Sequence, residues 1–156
     1  MKGNPEVIAV LNRLLADEFC AIHTYVLHSE MCENWGYHRL ATLIRKAALD
    51  EMKHAEQHIE RILFLEGTPD VYSLERKPVG ATVPELLETQ WRMEQAAIAA
   101  YNEAIVVADK AADAGSRELF EHILTDEERH ELFLRSQLEI IQTAGLGNYL
   151  SEQLKE

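Results

Sequence analysis

Asp50-Glu51-Met52-Lys53-His54 decides how the rest of the chain is read, together with its echo Asp126-Glu127-Glu128-Arg129-His130. Each stretch places a glutamate three residues before a histidine. Residues three apart share one face of a helix, so both side chains can reach one metal ion. Of the seven histidines, only His54 and His130 have an acid at that position. The two stretches are offset by 76 residues, and the same offset relates Glu18 to Glu94 and Tyr25 to Tyr101. Five matched pairs at one offset predict a two-metal site inside an all-α fold, a four-helix bundle.

The helices follow from periodicity. Asn4 is a good N-cap and Pro5 fits the first helical position. Ile8, Leu11, Leu15, Glu18, Ile22, Tyr25 and Ser29 then recur at steps of three and four, which predicts a helix from about Pro5 to Asn34. Trp35-Gly36 ends it, with Trp35 packed at the turn. A second helix runs from Tyr37 or His38 to about Glu66, its stripe passing through Ile44, Glu51, His54 and Ile62, and Gly67-Thr68-Pro69 stops it. Some fifteen aperiodic residues follow. A helix of thirty residues is ~45 Å long, and fifteen extended residues span up to ~50 Å. The segment can therefore run the length of the bundle as a long crossover, as in ferritin-like bundles. Thr82-Val83-Pro84-Glu85 is a capping box that opens the third helix. Asp113-Ala114-Gly115 breaks it and Ser116 is expected to cap the fourth. Gly145-Leu146-Gly147 ends that helix, and Asn148 to Leu154 is expected to form a short fifth one.

The bulk numbers bound the function. The 156 residues suffice for one domain, residues 1–156, and 47% hydrophobic content argues against disorder. A net charge of −12 makes nucleic acid an unfavourable partner and favours cations. There is no signal peptide and no apolar run that could span a membrane, so the expected compartment is the cytoplasm. Cys20 and Cys32 lie ~18 Å apart along the first helix. They cannot pair without unfolding it, and are read as inert.

Glu18, Glu51, Glu94 and Glu127 each stand where an apolar residue would continue a stripe. Four carboxylates in one interior repel each other and are poorly solvated. Two divalent cations relieve both problems, and oxygen and imidazole ligands suit iron or manganese. One glutamate from each of two helices plus Glu-x-x-His from each of the other two is the arrangement of di-iron carboxylate bundles. Glu51 and Glu127 are read as bridges, with Glu18 and His54, and Glu94 and His130, completing the half-sites. Tyr25 and Tyr101 sit two turns beyond Glu18 and Glu94, where they can hydrogen-bond a ligand carboxylate or simply fill the core. His58 is read as a polar, partly buried histidine and not a ligand.

Over nearly its whole length the chain resembles the bacterioferritin family. The likeness rests on Met1-Lys2-Gly3, on Asp50 to Ala55, on Ile59-Glu60-Arg61-Ile62-Leu63-Phe64-Leu65-Glu66-Gly67 and on Asn148-Tyr149-Leu150. That family's ferroxidase ligands fall on the same six residues. The resemblance implies iron storage in a shell of twenty-four subunits built from dimers, with Fe(II) oxidised by O2 or H2O2 at each di-iron centre. It also implies a fifth helix packed around four-fold axes and a ferredoxin-type electron donor for iron release. Met52 points about 100° away from Glu51, toward an outer patch with Leu49, Phe19 and Val26. In the family this methionine, from two subunits, holds the iron of a shared haem b, and Met52 is expected to do so here.

Two positions depart from the family. Lys46 stands where an inner-surface iron site often has histidine, beside Asp50 and Asp126, which are expected to guide iron. Arg45 stands where an aromatic is common near the haem. The rival reading is a rubrerythrin-like di-iron peroxidase without stored mineral. Such proteins usually carry a further glutamate where this chain has Ala97, and often a Cys-x-x-Cys module that is absent here.

Overall fold

Asn4 opens the first helix as expected. Its side chain accepts from the Glu6 amide at 2.8 Å, and Pro5 occupies the first helical position. The computed structural model describes residues 1–156. They form α1 (Pro5–Asn34), α2 (His38–Phe64), α3 (Val83–Lys110), α4 (Ala114–Ala144) and α5 (Leu146–Gln153). There is no strand, and no helix is long and apolar enough to cross a membrane.

α1 packs chiefly on α2 and α3 on α4; the two hairpins meet through α1–α3 and α2–α4 contacts. Both cross-hairpin pairs are antiparallel, because later residues of one helix meet earlier residues of the other. His28 bonds Gln90 while Tyr101 bonds Glu18, and His54 meets Asp126 while His130 meets Asp50. Two apolar clusters hold the bundle, one on each side of the polar centre. Leu11, Leu15, Ile62, Phe120 and Ile123 fill one end, and Leu40, Ile44, Leu87, Leu134 and Tyr149 the other.

The crossover between α2 and α3 is strapped along α1 in matching order. Asn12 bonds the Thr68 carbonyl and the Asp70 amide, the Cys20 thiol donates to the Glu75 carbonyl, and buried His28 bonds the Val79 carbonyl at 2.7 Å. From Asn12 to His28 is ~24 Å of helix. The segment thus travels along the bundle and restarts the chain at the opposite end. His28 Nε2 must donate to Val79, since a carbonyl only accepts, and Nδ1 then accepts the Gln90 amide at 2.9 Å.

Three helix ends use one turn geometry. After α1, Gly36 takes the left-handed conformation at φ 87°, and Tyr37 and Gly36 amides bond the Cys32 and Glu33 carbonyls. After α2 and α3 the same bonds form around Glu66 (φ 61°) and Ala112 (φ 54°). Gly67, the first of the three residues expected to stop α2, is therefore not the left-handed residue. Its missing side chain makes room, as a Cβ there would lie 2.8 Å from Ile8 Cγ2.

Two further expectations are corrected. Asp113, not Ser116, caps α4: its carboxylate accepts the Ser116 amide at 3.0 Å. The Ser116 hydroxyl instead donates to Asp113 and accepts from Arg61 Nε at 2.9 Å. This ties the end of α2 to the α3–α4 turn. At the C-terminus Gly145 alone breaks the helix, at φ 84°, and α5 starts at Leu146, two residues earlier than expected. Tyr149 anchors it, buried, with its hydroxyl donating to Gln137 at 2.9 Å.

Candidate metal centre

Each of the four long helices contributes to one buried polar cluster. α1 brings Glu18, α2 brings Glu51 and His54, α3 brings Glu94, and α4 brings Glu127 and His130. The four glutamates and His54 are buried. His130 is the most open of the six, its side chain 17% exposed against 3% for His54. Ligand atoms of Glu18, Glu51, His54 and Glu127 lie within 4.8 Å of one another, and so do those of Glu51, Glu94, Glu127 and His130. Glu51 and Glu127 belong to both sets. His54 Nδ1 lies 2.9 Å from Glu51 Oε2 and 3.2 Å from Glu127 Oε1; His130 Nδ1 lies 3.0 Å from Glu51 Oε1 and 3.6 Å from Glu94 Oε1. Both rings therefore turn Nδ1 inward.

Without metal, protons hold this cluster together. Burial and the charge of Glu18 push Glu51 up to about 8, and burial with Glu94 raises Glu127 well above the usual carboxylate range. Burial alone would lower His130, but hydrogen bonds to Glu51 and Glu94 outweigh it and carry the ring to about 10. His54 rises for the same reason, through Glu127, Glu18 and Glu51. Burial also opposes ionisation of Glu18, yet bonds with His54 and Glu51 bring it down to about 2. Protons leave the cluster incompletely satisfied, since Glu94 Oε2 is buried without a hydrogen-bond partner and Glu127 Oε1 has only the His54 ring, at 3.2 Å, beside it. A buried carboxylate oxygen in that state is costly unless a cation meets it. The donor set thus fits a pair of divalent ions.

A second ring surrounds the six, and its bonds cross between helices. Tyr25 on α1 donates to Glu94 on α3, and Tyr101 on α3 donates to Glu18 on α1. Both tyrosines hydrogen-bond these carboxylates, and both are also core residues. Asp126 on α4 accepts from His54 Nε2 at 3.1 Å, and Asp50 on α2 lies 3.4 Å from His130 Nε2. The sequence reading assigned these aspartates to iron guidance and missed their contact with the histidines. The shared 76-residue offset, combined with antiparallel packing of α2 on α4, carries that signal. His58 is fully buried, not partly, and bonds the Tyr101 hydroxyl at 2.6 Å. Burial lowers it to about 4, so it is neutral.

Three cavities reach the centre, one of 160 Å³ touching Glu94 and His130 and two larger ones that follow helix seams. Between α1 and α3 a cavity of 290 Å³ extends from Asp17, Lys77 and Glu88 to Glu18, Glu94 and Glu127. Between α2 and α4 a second, of 440 Å³, reaches the outer edges of His54 and His130. Met52 is on neither seam. It is 45% exposed, and of its expected companions Leu49 (50%) and Val26 (42%) are exposed, whereas Phe19 is half-buried and packs against the core instead. Arg45 reaches Glu30 at 3.4 Å and is exposed.

Residues 8–144 match the family described as Ferritin-like domain. The chain is 43% identical over 155 residues to a bacterial ferritin of Synechocystis sp., covering 99% of each. It is 40% identical over 149 residues to a bacterioferritin of Brucella melitensis, covering 96% of this chain and 92% of that one. With a bacterioferritin of Mycolicibacterium paratuberculosis it shares 38% over 152 residues, 97% of this chain and 96% of the other.

Proposed function

The chain belongs to the ferritin family, in its bacterioferritin group, and from that premise we propose that it stores iron after oxidising Fe(II) at the six-residue centre. In this reading the ferric product is kept inside a shell of twenty-four subunits. The observation that carries it is the pair of overlapping ligand sets sharing Glu51 and Glu127, with the buried Glu94 Oε2 left unpartnered. Four carboxylates match the charge of two Fe(II) ions.

Fe(II) is the substrate. Glu18 and His54 would hold one ion, Glu94 and His130 the other, and Glu51 and Glu127 would bridge them. Binding displaces the protons that His54, His130, Glu51 and Glu127 hold in the metal-free protein. Each Fe(II) gives one electron to the oxidant, O2 or H2O2. Asp126 accepts from His54 Nε2 and so keeps Nδ1 as the metal-facing nitrogen of that ring, and Asp50 lies 3.4 Å from His130 Nε2 on the corresponding side of the other. Tyr101 and Tyr25 fix one oxygen of Glu18 and of Glu94.

Haem b is the second group proposed, and Met52 would hold it at a contact between two copies of the chain. Its thioether stands exposed in an apolar patch with Leu49 and Val26, which a second copy and a flat apolar ring would cover. A haem with such ligands supplies one-electron transfer, from a ferredoxin-type donor toward stored iron. The rubrerythrin-like alternative lacks its further carboxylate, because Ala97 lines the α1–α3 cavity in that place.

Size-exclusion chromatography and stopped-flow Fe(II) oxidation test the reading together. A large shell with fast oxidation is expected, and Glu94→Ala with Glu127→Ala should abolish the fast phase. Elution as a dimer would remove the storage role, and an unchanged fast phase would remove this centre.

A further inference from the structure

The cavity between α2 and α4 carries charge of the opposite sign to the chain as a whole. Its nine lining residues include no apolar side chain. Lys46, Lys53, His122 and Arg129 line it, with Asp50, Asp126, Gln57 and the two histidines of the centre. The chain's net charge is −12, yet here the formal balance favours cations, three against two with the histidines neutral. No carboxylate lies within 4.0 Å of the Lys46 or Lys53 ammonium, the limit for an ion pair. Arg129 spends one nitrogen on Asp126, at 3.1 Å, and keeps the rest of its donors.

The basic residues are also placed by the internal repeat. The 76-residue offset that relates the metal-centre residues relates Lys46 to His122 and Lys53 to Arg129 as well. On α2, Lys46, Asp50, Lys53 and Gln57 recur at steps of three and four; His122, Asp126 and Arg129 do so on α4. Antiparallel packing of α2 on α4 sets Lys53 and Arg129 near the middle of the cavity, one from each helix, with Lys46 and His122 toward opposite ends. Donors thus converge from two sides on a single polar space.

We propose that this cavity is a binding site for a multivalent oxyanion of the inorganic phosphate class, held between Lys53 and Arg129 with Lys46 and His122 at the flanks. Arg129 supplies planar paired donors and the lysines supply point charge. A divalent cation in this cavity would meet the unpaired ammonium groups of Lys46 and Lys53, which oppose the iron guidance expected of Asp50 and Asp126. The anion would sit beside the outer edges of His54 and His130, where ferric product leaving the centre meets a counter-charge. That last role rests on the iron-oxidation reading; the binding does not.

Isothermal titration of inorganic phosphate into the metal-free, assembled protein at low ionic strength tests it without any iron chemistry. One phosphate per chain is expected, weakening as chloride is raised. Lys53→Gln with Arg129→Gln should weaken it roughly tenfold or more, and so should Lys46→Gln with Lys53→Gln, whose side chains are exposed and not needed for folding. Lys155→Gln should bind as the parent does. No saturable heat up to about 10 mM phosphate, or parental affinity in both double variants, overturns the proposal, whatever the oxidation rates prove to be.

Discussion

Asp126 on α4 accepts the Nε2 proton of His54 on α2 at 3.1 Å, across the seam between two helices that are far apart in sequence. Its repeat partner Asp50 lies at the corresponding place beside His130, 3.4 Å from Nε2. Such contacts fix the ring orientation and raise the basicity of the inward nitrogen. Asp126→Ala is therefore expected to weaken Co(II) binding at the His54 half-site by roughly 10–100-fold. Asp126→Asn, which still offers an acceptor, should recover part of the loss. Equal affinity in all three proteins would reduce Asp126 to a surface charge. Lost pairing with exposed Arg129 is worth little by comparison.

The metal-free protein should lose stability as pH rises. Glu51 at about 8 and His130 at about 10 both bind their protons more tightly folded than unfolded, where the ordinary values are 4.5 and 6.5. Their contribution is complete below those unfolded values and is lost as pH climbs through the folded ones. Glu18, at about 2, acts in the opposite sense only below 4.5. Calorimetry with a chelator present should give a lower Tm near about pH 9 than near about pH 6. Saturating divalent metal should flatten or invert that slope, because metal replaces the protons. A chelated protein whose Tm is insensitive to pH would contradict the assigned protonation.

Met52→Ala should abolish the Soret band of haem-loaded protein while leaving the fast phase of Fe(II) oxidation intact. The thioether lies on the exposed face of α2, away from the buried ligands on the same helix. A retained band would assign haem ligation to another residue.

Ala112→Gly and Glu66→Gly are each expected to raise Tm by about 1–4 °C. Both residues hold a left-handed conformation that costs a side-chain-bearing residue about 1 kcal/mol. The greater freedom of glycine in the unfolded chain offsets part of the gain. Gly36→Ala, in the same turn geometry after α1, should lower Tm instead. The opposite pair of shifts in scanning calorimetry would refute this account of the turns.

Much of the site is legible before folding is considered. Glu18, Glu51, His54, Glu94, Glu127 and His130 announce themselves because an acid or imidazole interrupts an apolar stripe, and the helical period is a local property. The caps at Asn4 and Thr82 are legible for the same reason. Asp113 was passed over for Ser116 because either can cap a helix, and only the path of Arg61 from α2 engages the Ser116 hydroxyl and leaves the amide to Asp113. Gly67 marks the stop after α2 in the sequence, but the reason for a residue without a side chain there, the close approach of Ile8 from another helix, is tertiary.

The amino-acid sequence by itself determined which residues meet. Periodicity sets the face on which each side chain lies, and the 76-residue offset sets a common height for two halves. Which residue touches which was decided by tertiary structure. Tyr25 reaches Glu94 and not Glu18, and Asp50 reaches His130 and not His54, because the hairpins pack antiparallel and bring opposite ends of each repeat together. The unequal exposure of His54 and His130, and the positive cavity beyond them, arise likewise from how α2 lies on α4. No local spacing encodes that contact.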